Sequence, residues 1–143
     1  MANVITYGTF DLFHYGHLRL LERAKGLAGV DGRLVVAVST DDFNWKEKRK
    51  RSTIRDSERM AIVRALRCVD EVIPETCWGQ KLRDVVEHQI DIFVMGDDWK
   101  GKFDFLSDLC KVVYLPRTEG ISSTEIKANV RGGEDGNTHT PNG

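Results

Sequence analysis

"YGTFDLFHYGHLRLLERAK", at residues 7–25, is the stretch of sequence that decides the fold. It follows the apolar run "VITY" (4–7) and leads into a segment whose apolar residues recur at helical spacing. The change of period predicts a buried strand, a tight exit at Gly8 and a helix that begins near Tyr15. The apolar residues of this helix are Leu18, Leu20, Leu21, Ala24 and Leu27.

Two of the four histidines in the chain, His14 and His17, lie at the predicted start of this helix. Residues three apart are neighbours on a helix, and the free N–H groups of a helix N-terminus bind phosphate. Two imidazoles there would donate further hydrogen bonds to an anion. A metal site would need a third and usually a fourth ligand, and partly buried histidines bonded to backbone are a further alternative. The surrounding glycines, Thr9 and Asp11 favour phosphate chemistry.

Further strands and helices alternate along the chain. The strand candidates are "LVVAVS" (34–39), "DIFVMG" (91–96), "VVYL" (112–115) and the shorter, more polar "VDEVIP" (69–74). One helix is predicted from Ile62, Val63, Leu66 and Val69, with Asp56 or Ser57 as its cap, and another from Leu82, Val85, Val86 and Ile90. This alternation predicts an α/β fold, a single Rossmann-like domain with a doubly wound, mostly parallel sheet.

Polar segments follow four of these strands and are expected to meet. They are residues 8–17, 39–51, 96–104 and 116–127. In doubly wound sheets, ligands bind beyond the carboxyl ends of the strands, at the point where the strand order reverses. The sequence therefore predicts a binding site at that edge of the sheet.

Bulk composition excludes several classes of function. The chain has 143 residues and a formal net charge of −1, which suits one globular domain with no global attraction to nucleic acid or membrane. The basic run "KEKRKR" (46–51) has no aromatic-interleaved stripe around it, so we expect no nucleic-acid partner. The three cysteines form no CxxC pair, which argues against a cysteine zinc site or a disulfide framework.

The ends of the chain carry two further expectations. The first residues lack the charged and apolar regions of a signal peptide, and no run of 18 apolar residues occurs. We therefore expect a cytoplasmic protein with no transmembrane segment. The domain is predicted over residues 1–130, followed by a disordered tail at 131–143 that is rich in Gly, Asn and Thr.

Four stretches resemble one family. "GTFDLFHYGH" (8–17) resembles the G-x-F-D-x-x-H-x-G-H pattern of the nucleotidyltransferase superfamily of cytidylyltransferases and small-molecule adenylyltransferases. "RTEGISSTEIK" (117–127) is similar to its R-T-x-G-I-S-T-T segment, with Ser at position 123 where the closest relatives have Thr. "VDEVIPE" (69–75) and "MGDDWKGKFDFL" (95–106) resemble the cytidylyltransferase branch that acts on glycerol 3-phosphate.

The resemblance implies an enzyme with the HxGH nucleotidyltransferase fold. It would join CTP and sn-glycerol 3-phosphate to give CDP-glycerol and pyrophosphate, by in-line attack at the α-phosphorus. It also implies Mg²⁺ on the triphosphate, a homodimer and a place in the synthesis of glycerol-phosphate polymers such as wall teichoic acids. The superfamily motifs alone also allow another phosphate substrate or ATP, as in an FMN or sugar-phosphate adenylyltransferase. A nucleotide-binding module without catalysis is the alternative from another class.

The resemblance assigns roles to particular residues. The implied catalytic residues are His14, His17, Lys48 and Arg117. Those implied to bind nucleotide are Thr9, Phe10, His14, His17, Lys50, Asp98, Arg117, Thr118, Ile121, Ser122, Ser123 and Thr124. Those implied to bind substrate are Asp11, Lys48, Arg67, Trp78 and Lys81. Asp11 could instead orient its loop or approach Mg²⁺, and Arg67 and Asp70 match family positions near the substrate site and the dimer contact.

Several of these assignments leave an alternative open. In the basic loop Lys48 and Lys50 match the family pair best, but Lys46 and Lys48 are also possible. The basic run could be a solvated face, and Arg67 could simply pair with a nearby acid at the end of a helix. The hydroxyls at 122–124 are also good helix caps.

Overall fold

A computed structural model describes residues 1–117. In chain order its elements are β1 (Asn3–Gly8), α1 (Tyr15–Ala28), β2 (Arg33–Ser39), α2 (Asp41–Lys48), α3 (Asp56–Arg64), β3 (Glu71–Glu75), α4 (Gln80–Glu87), β4 (Ile92–Gly96) and β5 (Lys111–Leu115), with single 3₁₀ turns at Asp97–Trp99 and Asp104–Leu106. The predicted boundary at residue 130, the tail at 131–143 and the segment 118–127 lie outside the described residues.

The five strands form one parallel sheet in the order β3-β2-β1-β4-β5. The order reverses at β1, because β1 pairs with β2 on one side and with the distant β4 on the other. The prediction of a doubly wound parallel sheet is therefore confirmed, including the shorter strand candidate that became β3. Pro74 fits β3 because β3 is an edge strand, where a missing N–H is tolerated.

Both faces of the sheet are covered, which explains the nearly continuous apolar runs of β1 and β2. Alternate residues of β1 point to opposite faces. Val4 packs in a cluster with Leu21 of α1 and Val63 of α3. Ile5 packs in a second cluster, with Val85 of α4 on the other face.

Two helices depart from the sequence prediction. The segment after β2 was expected to be a polar loop, but it forms α2, whose N-cap Thr40 accepts a hydrogen bond at Oγ1 from the Phe43 N–H at 3.1 Å. The predicted cap of α3 by Asp56 or Ser57 is wrong, because the N-cap is Arg55. The Asp56 carboxylate instead accepts from the Asp41 N–H at 2.8 Å, and the Asp41 carboxylate accepts from the Asp56 N–H at 3.0 Å.

The apolar faces of α3 and α4 also differ from those predicted from the spacing of apolar residues. Helix α3 ends at Arg64, so Leu66 and Val69 lie beyond it. On α4, Leu82 and Val86 are 49% and 63% exposed, whereas the polar residues Gln80, Lys81 and Asp84 are buried. Helix α4 therefore buries a polar face. The partners of these buried polar side chains lie in the candidate site that α4 borders. Across residues 1–117, none of the helices has the length and hydropathy needed to cross a membrane.

Candidate active site

A cavity of about 430 Å³ opens at the carboxyl end of β1, beside the point where the strand order reverses. Its location is the one predicted from the polar segments that follow the strands. Seven residues assigned by resemblance line it: Thr9, Phe10, Asp11, His17, Lys48, Lys50 and Asp98. The cavity is also lined by residues to which the sequence analysis assigned no role, among them Asn44, Ser52 and Trp99.

His14 and His17 cap helix α1 reciprocally. Nδ1 of His14, the N-cap residue, accepts from the Gly16 N–H at 3.0 Å, and Nδ1 of His17 accepts from the His14 N–H at 3.2 Å. The two rings stack, with centroids 3.8 Å apart and an interplanar angle of 23°. Because each neutral imidazole accepts at Nδ1, its proton resides on Nε2. The pair therefore satisfies the helix terminus with Nδ1 of each ring and carries its protons on Nε2, and His17 also lines the cavity.

The environment keeps His17 neutral at physiological pH. The pKa of His17 is lowered from 6.5 to about 4, mainly by burial and also by the nearby His14, whereas Asp11 opposes the shift. Two stacked imidazoles at this distance are poorly suited to carry two positive charges. His17 therefore enters the cavity as a neutral hydrogen-bond donor.

Phe10 shapes the turn between β1 and the histidines. Its backbone has a φ of 56°, in the left-handed region, and its ring meets the His17 ring edge-on at 5.4 Å. A Cβ added at Gly8 would lie 2.9 Å from the Phe10 ring atoms Cε2 and Cζ. Gly8 is therefore required so that the Phe10 ring can lie across the end of β1.

Asp11 fastens the loop that connects α2 to α3. Its carboxylate accepts from the N–H groups of Thr53 at 2.8 Å and Ile54 at 2.9 Å, and also from Leu12 at 3.1 Å. Asp11 is 7% exposed at the cavity edge. These bonds favour the loop-orienting role among those considered for it, and its contact with substrate or Mg²⁺ stays a prediction.

Arg59 joins several segments around the site through hydrogen bonds, and the sequence analysis did not identify it. It is 1% exposed and donates to the carbonyl oxygens of Thr9 and Ser39, each at 2.8 Å. Its Nε donates to the Ile54 carbonyl at 2.8 Å, and its Nη2 lies 2.6 Å from the Asp41 carboxylate. Nothing in a charged helical stretch marks one arginine as buried, because arginine is ordinarily exposed.

The structure distinguishes the lysines of the basic loop. Lys48 and Lys50 line the cavity. Lys46 is 70% exposed in its side chain and pairs with Asp42 on the helix surface at 3.3 Å. Burial is the main cause that lowers the pKa of Lys48, and Glu75 opposes it. The geometry favours the pair Lys48 and Lys50 over Lys46 and Lys48.

A second cavity of about 160 Å³ adjoins the first, and Lys48 lines both. Trp78 and Lys81, assigned to substrate by resemblance, lie in its wall with Glu75 and Phe103. Lys81 is 3% exposed, and its Nζ lies 2.6 Å from Oε2 of Glu75.

A polar network behind this cavity accounts for the buried face of α4. Asp84 accepts at Oδ2 from the Tyr7 hydroxyl at 2.6 Å and from Gln80 Nε2 at 3.0 Å. Burial, followed by the Asp84 hydrogen bond and charge, raises the pKa of Tyr7. The Gln80 side-chain oxygen accepts from the Thr76 N–H at 2.6 Å, so the network also fixes the turn ahead of α4. Apolar periodicity could not reveal a helix that buries this network.

Other predicted residues lie elsewhere. Arg67 is exposed and lines a separate, shallow cavity of about 460 Å³, ahead of β3 at the amino edge of the sheet. The nearby acid Asp70 bonds to Lys25 Nζ at 2.6 Å and to the Leu34 N–H at 2.7 Å. Arg117 follows β5 at the carboxyl edge and is exposed. The remaining nucleotide-binding assignments lie outside the described residues: Thr118, Ile121, Ser122, Ser123 and Thr124.

Comparison with known proteins relates nearly the whole chain to one family. The model of the cytidylyltransferase-like family matches residues 5–129. The chain is 59% identical to the glycerol-3-phosphate cytidylyltransferase of Bacillus subtilis (strain 168), over 92% of this chain and 99% of that protein. It is 52% identical to the protein of the same name from Staphylococcus aureus (strain NCTC 8325 / PS 47), over 92% and 97%. A solved structure, the lipopolysaccharide core biosynthesis protein of Thermoplasma volcanium GSS1, matches with a TM-score of 0.70 at 28% identity, over 83% of this chain and 99% of that one.

Proposed function

The chain belongs to the cytidylyltransferase-like family, and from this we propose that it is an enzyme that joins CTP to sn-glycerol 3-phosphate, giving CDP-glycerol and pyrophosphate. The observation that carries the proposal is the pair of adjoining cavities that share Lys48. One has the capping histidine His17 in its wall, and the other has the lysine–glutamate pair. The substrate names come from relatives that match over 92% of the chain.

The reaction is an in-line displacement at the α-phosphorus of CTP. A phosphate oxygen of glycerol 3-phosphate forms the new O–P bond, the bond from the α-phosphorus to the bridging oxygen breaks, and pyrophosphate leaves with that electron pair. The attacking phosphate is already anionic at neutral pH, so the step needs no strong general base. Catalysis consists of positioning and of stabilising charge that grows on the phosphate oxygens.

The two histidines supply preorganised donors for that charge. Their Nδ1 atoms are held by the backbone of α1, so the rings need not reorient as charge develops. Since His17 is neutral, it acts by hydrogen bonding through Nε2–H and not as a resident cation. The N-terminus of α1 adds its partial positive charge at the same place.

The positions of the two lysines indicate which substrate lies in which cavity. Lys48 lies where the cavities meet, so its ammonium group can contact both the acceptor phosphate and the triphosphate. Lys50 belongs to the larger cavity alone and is assigned to the triphosphate. The acceptor's glycerol end then lies toward Trp78 and Lys81. Arg117, at the same edge of the sheet, is assigned to the nucleotide phosphates.

Mg²⁺ is proposed to arrive with the nucleotide. Among residues 1–117 the carboxylates lining the larger cavity are Asp11 and Asp98, and the Asp11 oxygens already accept three backbone N–H bonds. This donor set fits an ion whose ligands are mostly phosphate oxygens and water. When bound, the ion would neutralise charge on the β- and γ-phosphates.

Pyrophosphate release with Mg²⁺ tests the proposal. CTP and ATP are each combined with glycerol 3-phosphate, ribitol 5-phosphate, phosphoethanolamine, phosphocholine and FMN. We expect release with CTP and glycerol 3-phosphate in large excess over every other pair. Release with a different pair would preserve the chemistry and overturn the substrates, whereas nucleotide binding without any release would indicate a binding module.

The oligomeric state, the cellular location and the use of the product are part of the same proposal. By analogy with small members of the family we propose a homodimer, which light scattering after size-exclusion chromatography would test. Because the proposed reaction consumes CTP, an intracellular nucleotide, we also propose a cytoplasmic location. Its product would supply the synthesis of glycerol-phosphate polymers such as wall teichoic acids.

A further inference from the structure

An aromatic cage formed by Tyr7, Trp78 and Phe103 surrounds the ammonium group of Lys81. The Lys81 Nζ lies 4.7 Å from the Tyr7 ring centroid, 5.1 Å from that of Trp78 and 5.5 Å from that of Phe103. All three distances are within the range of cation–π attraction. Cages of this kind bind quaternary ammonium ligands in other proteins, but here the protein's own side chain takes the place of the ligand.

Glu75 holds this internal cation in position. Its Oε2 lies 2.6 Å from the Lys81 Nζ, and both side chains are only 4% exposed. Removing one partner of such a pair leaves a buried charge without compensation. Glu75 without Lys81 would therefore be a buried carboxylate beside an empty aromatic cage, a site with strong preference for a cation.

We propose that Glu75 and Lys81 select the acceptor: Lys81 fills the cage, Glu75 keeps it there, and the smaller cavity accepts the uncharged, hydroxylated end of a polyol phosphate but rejects an ammonium group. This inference rests on the proposed function, because it places the acceptor in the smaller cavity. Acceptor hydroxyls can accept from the Lys81 ammonium and donate to the Glu75 carboxylate. An acceptor ammonium would meet the cations of Lys81 and of Lys48, which lines the same cavity.

The first test is a change of acceptor preference in Lys81→Ala. This variant empties the cage and leaves the Glu75 charge in place. We expect kcat/KM for phosphocholine relative to that for glycerol 3-phosphate, both with CTP, to rise at least 100-fold. An unchanged ratio in a folded variant would overturn the inference.

Two controls separate charge from space. The double variant Lys81→Ala/Glu75→Gln has the same empty cage without the carboxylate. We expect its ratio of kcat/KM for phosphocholine to that for glycerol 3-phosphate to be at least tenfold lower than the ratio in Lys81→Ala. Lys111→Ala removes an exposed lysine at the amino end of β5 and should leave the ratio unchanged. A gain of equal size in the double variant would mean that space alone excludes the ammonium group, which would overturn the role of Glu75.

A binding measurement on protein that keeps Lys81 decides the matter if Lys81→Ala does not fold. Trp78 lines only the smaller of the two cavities, whereas Trp99 lines both, so the fluorescence of Trp78, measured in Trp99→Phe, reports occupation of the smaller cavity. Saturable quenching by glycerol 3-phosphate, with none by phosphocholine or tetramethylammonium at tenfold higher concentration, would support the inference. Equal quenching by the ammonium compounds would overturn it. Failure of the proposed function has a different signature, namely no pyrophosphate release by wild-type protein with CTP and glycerol 3-phosphate.

Discussion

At the scale of single residues, the two histidines combine a structural and a chemical role. Each gives Nδ1 of its ring to the terminus of α1, and the ring of His17 also lines the larger cavity. A substitution at either position therefore tests catalysis cleanly only if the capping bond is preserved. The asparagine side chain places an acceptor near the Nδ1 position, and the glutamine side chain places a donor near Nε2.

His17→Asn should accordingly separate the two roles. It keeps an acceptor for the His14 N–H but lacks the distal donor, so we expect kcat to fall about 10²–10³-fold, the cost of losing a preorganised donor. His17→Gln should lose less activity, because its amide can donate from the distal position. Pyrophosphate release measures activity and thermal unfolding measures the cap. Wild-type turnover in folded His17→Asn would contradict the assignment of His17 to the growing charge.

The low pKa of His17 also predicts a pH dependence of stability. Its pKa is about 4 in the folded chain and has the ordinary value of 6.5 when unfolded. Between these values the unfolded state binds more protons, so the free energy of unfolding should rise with pH across this window. The contribution is complete above pH 6.5 and is lost as pH falls toward 4. Urea unfolding from pH 4 to 8 should show this slope in wild-type protein and a shallower one in His17→Gln.

At the scale of elements, a carboxylate helps to hold the loop between α2 and α3 in place. Asp11 bonds to the N–H groups of Thr53 and Ile54, and the preceding residues 49–51 carry three positive charges. Lys50 belongs to that charged stretch and lines the larger cavity. Fixing the loop therefore also fixes a cationic wall of the site.

Asp11→Asn should release this loop. One side-chain oxygen is replaced by an NH₂ group that faces a backbone donor, so at least one bond to the loop is lost. We expect trypsin to cleave after residues 49–51 severalfold faster than in wild-type protein, and KM for CTP to rise. Asp31→Asn, in the exposed turn ahead of β2, is the matched control and should change neither. Unchanged cleavage in Asp11→Asn would show that the loop is held by other contacts.

The elements also show where sequence patterns succeed and where they fail. The strands β1, β2, β4 and β5 could be predicted because each is a short apolar run. The start of α1 could be predicted because glycines and histidines mark it. Helix α4 was predicted at the right place, but it ends at Glu87, before the predicted Ile90, and its buried face is not the one predicted. Lys81 and Asp84 are buried because each finds a partner in Glu75 or Tyr7, and such partners come from elsewhere in the chain.

At the scale of the whole molecule, Arg59 joins the ends of two strands to two later segments. Its guanidinium contacts the Thr9 carbonyl just after β1 and the Ser39 carbonyl at the end of β2. It also contacts the Asp41 carboxylate at the start of α2 and the Ile54 carbonyl in the α2–α3 loop. The sequence predicted which strand ends would meet, because parallel topology requires it. It did not predict which side chain joins them, since that depends on three-dimensional proximity.

Arg59→Met should therefore destabilise the whole domain. Three carbonyl oxygens lose their donor, and we expect the free energy of unfolding to fall by about 3 kcal/mol or more. Arg83→Met removes an arginine that is 62% exposed in its side chain and lies 3.9 Å from Glu87, and it should cost less than about 1 kcal/mol. Urea denaturation of both variants gives the comparison. Similar losses in the two variants would contradict the role assigned to Arg59.

The order of strands in the sheet has a consequence for synthesis of the chain. A growing polypeptide that has reached Glu75 already contains β1, β2 and β3, but the other edge of β1 must wait for β4, with Val4 paired to Ile92. Until then β1, which is buried in the folded sheet, presents open backbone groups to any extended segment nearby. Pairing across so long a separation is also slow, because chain entropy opposes it. We therefore expect the nascent chain that ends at β3 to be more prone to aggregation than the complete domain.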